Sequence, residues 1–170
     1  TSFNFDPDAK CFEWNKFINQ VTKQNIDLQK YIQKLCGYCL MGERNEQIII
    51  FIVGPGANGK SVFINTLSYI FGDYAGVINA KALISGNNGS IPSDIASLYG
   101  KRLVTLSEFP EEAALNTTLL KSITGNDKLT ARHLYQSWFD FYPEFLLMCA
   151  MNQMPEIRED DMAFFRRLKL

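Results

Sequence analysis

The segment from Gly54 to Ser61 has the residue types and the spacing of a loop that binds phosphate. It reads GPGANGKS and fits the pattern G-x-x-x-x-G-K-[ST]. Glycines let the backbone turn tightly and bring its N–H groups against phosphate oxygens. The ammonium of Lys60 can reach the β- and γ-phosphates of a nucleotide, and the Ser61 hydroxyl can bind Mg²⁺. The pattern therefore predicts a site for ATP and Mg²⁺, formed by Gly54, Pro55, Gly56, Ala57, Asn58, Gly59, Lys60, Ser61 and Val62.

The sequence on both sides of this loop supplies the elements that must position it. Residues 47–53 are a short apolar run rich in β-branched side chains, which is typical of a buried parallel strand. After the loop, apolar residues recur with helical spacing from position 63 to position 71, and Gly72 is a suitable stop. A helix that begins here would place its partial positive charge where the phosphates lie. The alternative is a glycine-rich turn that binds nothing, and the flanking strand and helix argue against it.

A second apolar run ends in an acidic residue. Residues 101–108 are predicted to form another buried strand, whose last two residues are Ser107 and Glu108. A carboxylate in this place can serve Mg²⁺ and an attacking water, so Ser61 and Glu108 are the candidate metal ligands. The alternative is a surface glutamate after a core strand.

A polar residue also follows the third apolar run. Residues 145–151 are predicted to form a buried strand, which ends in Asn152 with Pro155 three residues on. Because α/β sheets bind ligands at the carboxyl ends of parallel strands, Asn152 is a candidate contact for the same ligand.

Residues 128–143 have the alternation and the aromatic content of a β-hairpin. Gln136 and Ser137 form the polar pair between its two arms, 128–135 and 138–143. The aromatic residues of this hairpin are expected mostly to pack in the core or at an interface. His133 is expected to be a surface or packing residue of the hairpin rather than a catalyst.

Residues 1–45 are expected to form a small helical cap, and residues 46–170 the catalytic core. Apolar residues between Cys11 and about Met41 follow two helical stripes. The stripes are interrupted near Asn25, and Asp27 is the candidate N-cap of the second helix. The sequence opens on Thr1 without an initiator methionine, so we expect it to be a fragment of a longer protein.

The composition is that of a globular domain. The chain has 170 residues, of which 46% are hydrophobic and 21% charged, and its net charge is −1. This charge argues against a protein covered by nucleic acid, but it allows a local basic channel. No apolar run has the length of a membrane span. The cysteines lack the pairing of a zinc or redox site, so we expect structural thiols and a reducing, cytoplasmic compartment. They are Cys11, Cys36, Cys39 and Cys149.

The order of these features resembles the superfamily 3 helicase domain. The similar branch is that of the phage and plasmid primase–helicases, which includes the poxvirus primase–helicase. The resemblance runs from about Trp14 to Leu170, and Asn58 before Gly59 makes it more specific than the loop alone. The ordered set is the loop at 54–61, the strand ending in Glu108, Lys121 with Thr124-Gly125-Asn126-Asp127 and Arg132, Asn152 with Pro155, and Arg166-Arg167.

The resemblance implies an α/β P-loop NTPase of the AAA+-like type, with a central parallel sheet, helices on both faces and an N-terminal helical cap. It implies a ring, usually a hexamer, that hydrolyses ATP between subunits while a single DNA strand passes through a central pore. Glu108 would orient the attacking water, and Asn152 would contact that water or the γ-phosphate. Arg167, with Arg166 as the second choice, would be the arginine finger that reaches a neighbour's ATP. The segment from Lys121 to Arg132 would match the motif whose hairpin faces the pore. The resemblance therefore implies that the hairpin contacts DNA, and the candidate DNA-binding residues are Arg132, His133, Tyr135, Gln136 and Trp138. Contacts to phosphates would make this binding sensitive to salt, and an exposed Trp138 could stack on a base.

The sequence departs from the family pattern in one place and stops early in another. Ser107 stands where many members have a second acid, so Mg²⁺ would be held by Ser61, phosphates and water, with Glu108 in support. The sequence ends shortly after Arg167. We therefore expect the family's final strand, any downstream domain and an upstream primase domain to lie outside it.

The function favoured by the sequence is that of an ATP-dependent DNA helicase or translocase motor in the replication of viral, phage or plasmid DNA. It would be the C-terminal part of a primase–helicase. One alternative is a small-molecule P-loop kinase, but no acceptor pocket or arginine-rich lid is recognisable. The other is a non-catalytic P-loop module for nucleic-acid binding or assembly, against which the intact Lys60, Glu108 and Asn152 argue.

Overall fold

The computed structural model describes residues 4, 6–43, 45–86, 92–110, 113–157 and 162–170. Two short 3-10 helices, Gly72–Tyr74 and Ala80–Leu83, flank the first edge strand. The described helices are α1 (Phe12–Val21), α2 (Ile26–Met41), α3 (Lys60–Phe71), α4 (Pro92–Ala96), α5 (Thr117–Thr124) and α6 (Met162–Phe165). The described strands are β1 (Ile49–Val53), β2 (Ala75–Val77), β3 (Leu103–Leu106), β4 (Leu129–Ala131), β5 (Phe139–Phe141), β6 (Leu146–Met151) and β7 (Leu168–Lys169).

The core is a five-stranded sheet with the order β2-β3-β6-β1-β7. All four pairings in this sheet are parallel. The carboxyl ends of β1, β3 and β6 therefore meet at one edge, where the phosphate-binding pattern and the two candidate polar residues follow. The predicted α/β fold with a central parallel sheet is confirmed.

Apolar side chains cover both faces of the sheet, as a parallel sheet requires. Alternate residues of β1 point to opposite sides, so Phe51 joins one core cluster and Ile50 the other. The first cluster lies under α5 and α6 and contains Leu120 and Phe164. The second lies under α1, α2 and α3. The sheet is thus held from both sides, which fixes the edge that carries the candidate site.

The N-terminal helices pack directly on the core. The ring of Trp14 on α1 stacks on that of Phe63 on α3, with 5.9 Å between their centroids. The Trp14 ring also lies 5.6 Å from the ring of Phe17. Ile18 and Leu35 are buried in the same cluster as Phe63. The predicted helical cap exists, but it shares a core with the sheet. The division into 1–45 and 46–170 stays a prediction.

The second helix of the cap begins two residues earlier than the sequence suggested. The side-chain oxygen of Asn25 accepts a hydrogen bond from the backbone N–H of Leu28 at 3.0 Å, so Asn25 is the N-cap. The expected cap, Asp27, lies in the first turn instead, where a carboxylate is still favoured by the helix dipole. At the other end Gly42 has a left-handed φ of 73°, which lets α2 stop.

The end of the cap is tied to the amino ends of two strands. The guanidinium of Arg102 lies where a Cβ on Gly42 would stand. The same guanidinium forms an ion pair with Glu144 at 2.9 Å. Since Arg102 precedes β3 and Glu144 precedes β6, this contact joins the cap to the sheet at the edge opposite the candidate site.

Several element boundaries differ from the sequence-based prediction. The strand expected at 77–79 is Ala75–Val77, and the helix expected from Ser93 to Tyr99 is Pro92–Ala96 followed by turns. The sequence did not predict the short strand β7, in which Leu168 pairs in parallel with Ile49. The expected loop at 85–90 lies mostly outside the described residues. None of the helices in the described part of the chain combines the length and the hydropathy needed to span a membrane.

Candidate functional site

The loop from Gly54 to Gly59 leaves the carboxyl end of β1 and enters α3 at Lys60. Its first N–H, on Gly54, donates to the carbonyl of Met151 at 3.2 Å and so ties the loop to β6. Gly59 ends the loop with a left-handed φ of 91°, and Ala57 is held at a φ of 60°. Positive φ is costly for alanine, so the loop carries backbone strain next to its phosphate-facing end.

The helical cap packs against the last glycine of the loop, Gly59. A Cβ on Gly59 would lie 2.9 Å from Val21 Cγ1 and 3.0 Å from Phe17 Cε2. Both residues belong to α1, so the cap packs against the back of the loop. A side chain at position 59 is thus opposed by the backbone conformation and by this packing together.

The space in front of the loop is open at its second glycine. A Cβ on Gly56 would meet no described heavy atom within 4 Å, apart from its chain neighbours. Protein packing therefore gives no reason for glycine here, whereas close approach by a ligand would. At Gly54 the space of the missing Cβ is taken by the side-chain amide nitrogen of Asn58.

Lys60 turns its ammonium back onto the loop. Nζ donates to the carbonyl oxygens of Gly54 at 2.6 Å and Pro55 at 2.9 Å. It also donates to Oδ1 of Asn58 at 2.9 Å. These bonds place a positive charge at the mouth of the loop, and the contact of Lys60 with the β- and γ-phosphates stays a prediction.

Glu108 and Asn152 share one cavity with the loop. The cavity has a volume of about 470 Å³. Glu108 follows β3 by two residues and Asn152 follows β6 by one, and the two strands are neighbours in the sheet. The lining residues are Gly56, Ala57, Asn58, Gly59, Lys60, Ser61, Val62, Ser107, Glu108, Phe109, Ala150, Met151, Asn152 and Gln153.

The sequence-based prediction missed two polar or aromatic members of this lining. Phe109 and Gln153 each come one residue after a predicted site residue. Their position after a strand end was the available signal. Ser107, noted for its departure from the family pattern, also faces the cavity.

The residues present fit a magnesium nucleotide. Among the described residues that line the cavity, Lys60 is the cation and Glu108 the anion. The Ser61 hydroxyl and the Glu108 carboxylate are oxygen ligands, which Mg²⁺ prefers, and this ion commonly keeps several waters and takes few protein ligands. The open space before Gly56 and the N-terminus of α3 suit phosphate oxygens.

Arg167 is among the buried residues of the chain. Only 9% of its surface is exposed. Its Nη1 donates to the carbonyl of Ala163 at 2.6 Å, and its Nη2 donates to Oε1 of Gln47 at 3.1 Å. In this conformation the guanidinium is packed inside its own chain, and the finger role of Arg167 stays a prediction. The alternative to the finger is an ion pair of Arg167 with Asp160 or Asp161 of its own chain, and both aspartates lie outside the described residues.

Arg166, the second choice, is exposed at the end of α6. Neither arginine is among the described residues that line the cavity. Of the two, Arg166 is the one whose side chain is exposed.

The predicted hairpin forms, but with shorter arms and a longer tip. β4 and β5 pair antiparallel, with Leu129 opposite Phe141 and Ala131 opposite Phe139. The tip comprises residues 132–138, so Gln136 and Ser137 are not a two-residue turn. The tip contains a bond from the N–H of Gln136 to the carbonyl of His133 at 3.1 Å.

The candidate DNA-binding side chains all lie on this tip and are exposed. Tyr135 is fully exposed and has a φ of 61°. A large aromatic residue with positive φ is unusual, and such strain persists where the surrounding structure or a function requires it. Leu134, also exposed, was missed because an apolar residue within an alternating pattern reads as core.

The tip is braced by ring contacts. The Arg132 guanidinium lies over the Trp138 ring, 4.6 Å from its centroid. His133 stacks on Phe139 at 5.8 Å, and Tyr99 meets Phe139 edge-on at 5.6 Å. His133 thus takes the packing role that the sequence left open, while Arg132 and Trp138 present a joint cationic and aromatic surface.

The cysteines are free thiols in different surroundings. Cys11 is exposed, whereas Cys39 and Cys149 are buried. Burial raises the pKa of the Cys36 thiol to about 11. Burial also raises the pKa of Cys149 strongly. Thiols that stay protonated are poor nucleophiles and poor metal ligands, which agrees with structural roles.

A family model described as "Family of unknown function (DUF5906)" matches residues 52–167. The match begins inside β1 and ends at Arg167, so it covers the loop, both strand-end residues and the hairpin.

Similar proteins come from large DNA viruses and a virophage. A protein of Acanthamoeba polyphaga mimivirus with the name "Putative helicase" is 31% identical over 97% of this chain. A protein of Sputnik virophage with the same kind of name is 33% identical over 76% of the chain. A protein of African swine fever virus named "Putative primase" is 24% identical over 99% of the chain. The chain spans only 17–18% of the length of these relatives.

A solved structure has the same fold. The apo structure of the NrS-1 C terminal region superposes with a TM-score of 0.68 at 16% identity. The superposition covers 91% of this chain and 36% of that one. At this identity the likeness concerns the fold alone.

Proposed function

The chain belongs to the family of unknown function DUF5906, and we propose that it is the ATP-hydrolysing motor of a superfamily 3 DNA helicase that acts in viral, phage or plasmid replication. The observation that carries the proposal is the single cavity into which the phosphate loop, Glu108 and Asn152 all open. The names of the similar viral proteins agree with this assignment. Because the chain spans about a sixth of those relatives, any primase activity would belong to other parts of such a protein.

The loop would bind the triphosphate. Its backbone N–H groups and the N-terminus of α3 would face phosphate oxygens, and Lys60 would neutralise part of their charge. Ser61, supported by Glu108, would hold Mg²⁺, which when bound draws charge away from the phosphates. Gly56 leaves room for the phosphates to approach the backbone.

Glu108 and Asn152 would activate and orient the attacking water. In the reaction a water oxygen forms a bond to the γ-phosphorus, the bond from that phosphorus to the β–γ bridging oxygen breaks, and ADP leaves. Glu108 would accept the proton of the water, and the Asn152 amide would orient the water or the γ-phosphate. Both groups follow adjacent strands, so the sheet holds them on the same side of the phosphates.

A second copy of the chain would complete the site. The cavity offers Lys60 as its cation among the described lining residues, and phosphoryl transfer gains ~10³–10⁵ in rate when an arginine adds charge stabilisation. Arg166 is exposed and is not among the residues that line the cavity of its own chain. We assign the finger to Arg166 supplied across an interface, which makes a ring such as a hexamer the working form.

The hairpin would contact the DNA strand. Arg132 supplies a phosphate contact, and the exposed rings of Tyr135 and Trp138 supply stacking surfaces that tolerate any base. His133 and Gln136 lie on the same tip. Movement of this hairpin with the state of the nucleotide would couple hydrolysis to translocation.

Steady-state ATPase assays of the purified chain test this proposal. Turnover is expected to require Mg²⁺, to rise with protein concentration and to rise further with single-stranded DNA. Lys60→Ala should abolish it, while Glu108→Gln should retain ATP binding and lose hydrolysis. Asn152→Ala should show a milder loss.

The alternatives give different results in the same assays. A small-molecule kinase would consume ATP only with an acceptor and would ignore DNA. A non-catalytic module would bind nucleotide or DNA without turnover at any protein concentration. Wild-type turnover in Glu108→Gln would refute the assigned hydrolysis step.

A further inference from the structure

We propose that the side chain of Asn58 is a positioning residue that occupies, in the nucleotide-free chain, the place on Lys60 that a phosphate oxygen must take. Nucleotide would then bind only after this amide releases the lysine. The inference rests on the proposed function, since it concerns how the same loop admits its ligand.

The bonds of Lys60 leave its ammonium fully engaged. An ammonium has three N–H donors. The oxygens of Gly54, Pro55 and Asn58 accept bonds from Nζ at 2.6, 2.9 and 2.9 Å. All three donors are therefore used, and a phosphate can bind to this ammonium only by displacing one of the three oxygens.

The oxygen of Asn58 is the one that can leave without refolding the loop. The acceptors on Gly54 and Pro55 are backbone carbonyls, which move only if the loop changes its dihedral angles. The amide of Asn58 is on the side chain of an exposed residue, so rotation about its side-chain bonds is sufficient to release Lys60.

A second contact holds the amide in this position. The Asn58 nitrogen lies against Gly54, in the space that a Cβ would fill. One amide thus bridges the first glycine of the loop and its lysine. The absence of a side chain at position 54 is what allows this arrangement, which gives Gly54 a packing role distinct from that of Gly56.

The exchange favours the nucleotide once it begins. The Asn58 oxygen is neutral, so the ammonium gains the attraction between opposite charges when an anionic phosphate oxygen replaces it. The amide would therefore delay association more than it weakens the final complex. Replacing Asn58 with aspartate would reverse this balance, because a carboxylate would hold the ammonium and repel phosphate.

The first experiment needs no nucleotide. The rate of acylation of the Lys60 amine by an amine-reactive reagent is followed by peptide mass spectrometry, with the exposed Lys34 as the internal reference. Asn58→Ala should raise the Lys60 rate several-fold relative to Lys34, and Asn58→Asp should lower it. Equal rates in all three proteins would overturn the proposal.

The second experiment measures nucleotide directly. A fluorescent ATP analogue with Mg²⁺ is mixed rapidly with wild type, Asn58→Ala and Asn58→Asp. The association rate constant should rise several-fold in Asn58→Ala and fall at least tenfold in Asn58→Asp, whereas a residue with a purely structural role would lower stability and leave these opposite shifts absent.

The two experiments separate the possible failures. Slower association in Asn58→Ala would show that the amide helps to bind nucleotide, and the proposal would be wrong. If no protein binds the analogue while the acylation rates follow the expected order, the contact with Lys60 stands and the proposed ATPase function fails.

Discussion

The side chains of Arg167 and Gln47 are joined by a hydrogen bond of 3.1 Å across 120 positions of sequence. Gln47 adopts a φ of 48° directly before the strand that leads into the phosphate loop. The backbone adds to the link, because the N–H of Ile49 donates to the carbonyl of Arg167 at 2.8 Å. Arg167 therefore fastens the end of α6 to the start of β1, and the two adjacent arginines have different tasks.

This division of tasks predicts opposite phenotypes for the two arginines. Arg167→Ala should lower the free energy of unfolding by about 1.5–3 kcal/mol, since it removes bonds made by a buried charged group. Arg166→Ala should change stability by less than about 0.5 kcal/mol, as expected for an exposed side chain, yet lower ATP turnover of the assembled protein. Urea denaturation and ATPase assays measure the two effects.

Mixed assemblies provide the control for the arginine assignment. Subunits with Lys60→Ala and intact Arg166 should restore turnover to subunits with Arg166→Ala. If Arg166→Ala alone turns over at the wild-type rate in the assembled protein, Arg166 is not the finger.

The glycines of the loop offer a matched pair of substitutions. Gly59→Ala places a Cβ against Val21 and Phe17 and forces alanine to a left-handed φ, so the chain should lose stability by at least about 1–2 kcal/mol. Gly56→Ala meets open space and should leave stability within about 0.5 kcal/mol. Binding of ATP should nevertheless weaken in Gly56→Ala, because the methyl group would enter the space for phosphate. Thermal melts and nucleotide titrations separate the two, and unchanged affinity in Gly56→Ala would contradict the assigned binding face.

Two substitutions at Tyr135 distinguish backbone strain from ring stacking. Tyr135→Gly and Tyr135→Ala both remove the ring and should weaken single-stranded DNA binding by about 1–3 kcal/mol if the ring stacks on a base. Only glycine relieves the positive φ, so Tyr135→Gly should be more stable than Tyr135→Ala. Fluorescence anisotropy with labelled DNA and thermal melts give both quantities. Wild-type DNA affinity in both variants would remove Tyr135 from the interface.

A phosphate contact by Arg132 should be detectable in the salt dependence of DNA binding. Arg132→Ala should weaken binding to all sequences alike and reduce the slope of log affinity against log salt by about 1. Lys128, an exposed cation that already lies 3.9 Å from Asp140, is the matched control and should change the slope less. Equal slopes for wild type and Arg132→Ala would show that Arg132 serves only to brace Trp138.

The buried thiols predict a loss of stability in alkali. Burial raises the pKa of Cys36 from an ordinary value of 9.0 to about 11, so the folded chain keeps a proton that the unfolded chain loses. This contribution to stability is complete below pH 9 and is lost as the pH rises towards 11. Urea denaturation across this range should show a smaller decline in Cys36→Ala than in wild type. Alkylation followed by mass spectrometry should modify the exposed Cys11 before Cys36 and Cys149.

Much of the site could be predicted because its parts are local in sequence. The residues assigned to phosphate binding are contiguous, and Glu108 and Asn152 each lie at the end of an apolar run that was predicted to form a strand. Once those runs form a parallel sheet, its geometry brings the polar residues to one cavity. The prediction therefore did not depend on any specific side-chain contact between residues far apart in sequence.

The burial of Arg167 could not be predicted in this way. Arginine at a chain position with exposed neighbours normally reads as a surface residue. Its burial depends on Gln47, far away in sequence, and on the pairing of β7 with β1. The length of the hairpin tip was predicted wrongly for a related reason. The alternating pattern of apolar and aromatic residues continues past Ala131, but the strand pairing ends there.

The packing of α1 against Gly59 has a consequence for how this protein can be divided. The family match starts at residue 52, whereas the side chains that shape the end of the phosphate loop come from positions 17 and 21. A chimera that exchanges only the matched segment between relatives would set a foreign loop against a cap with which it never evolved. A transferred unit should therefore include α1 as well as the matched segment.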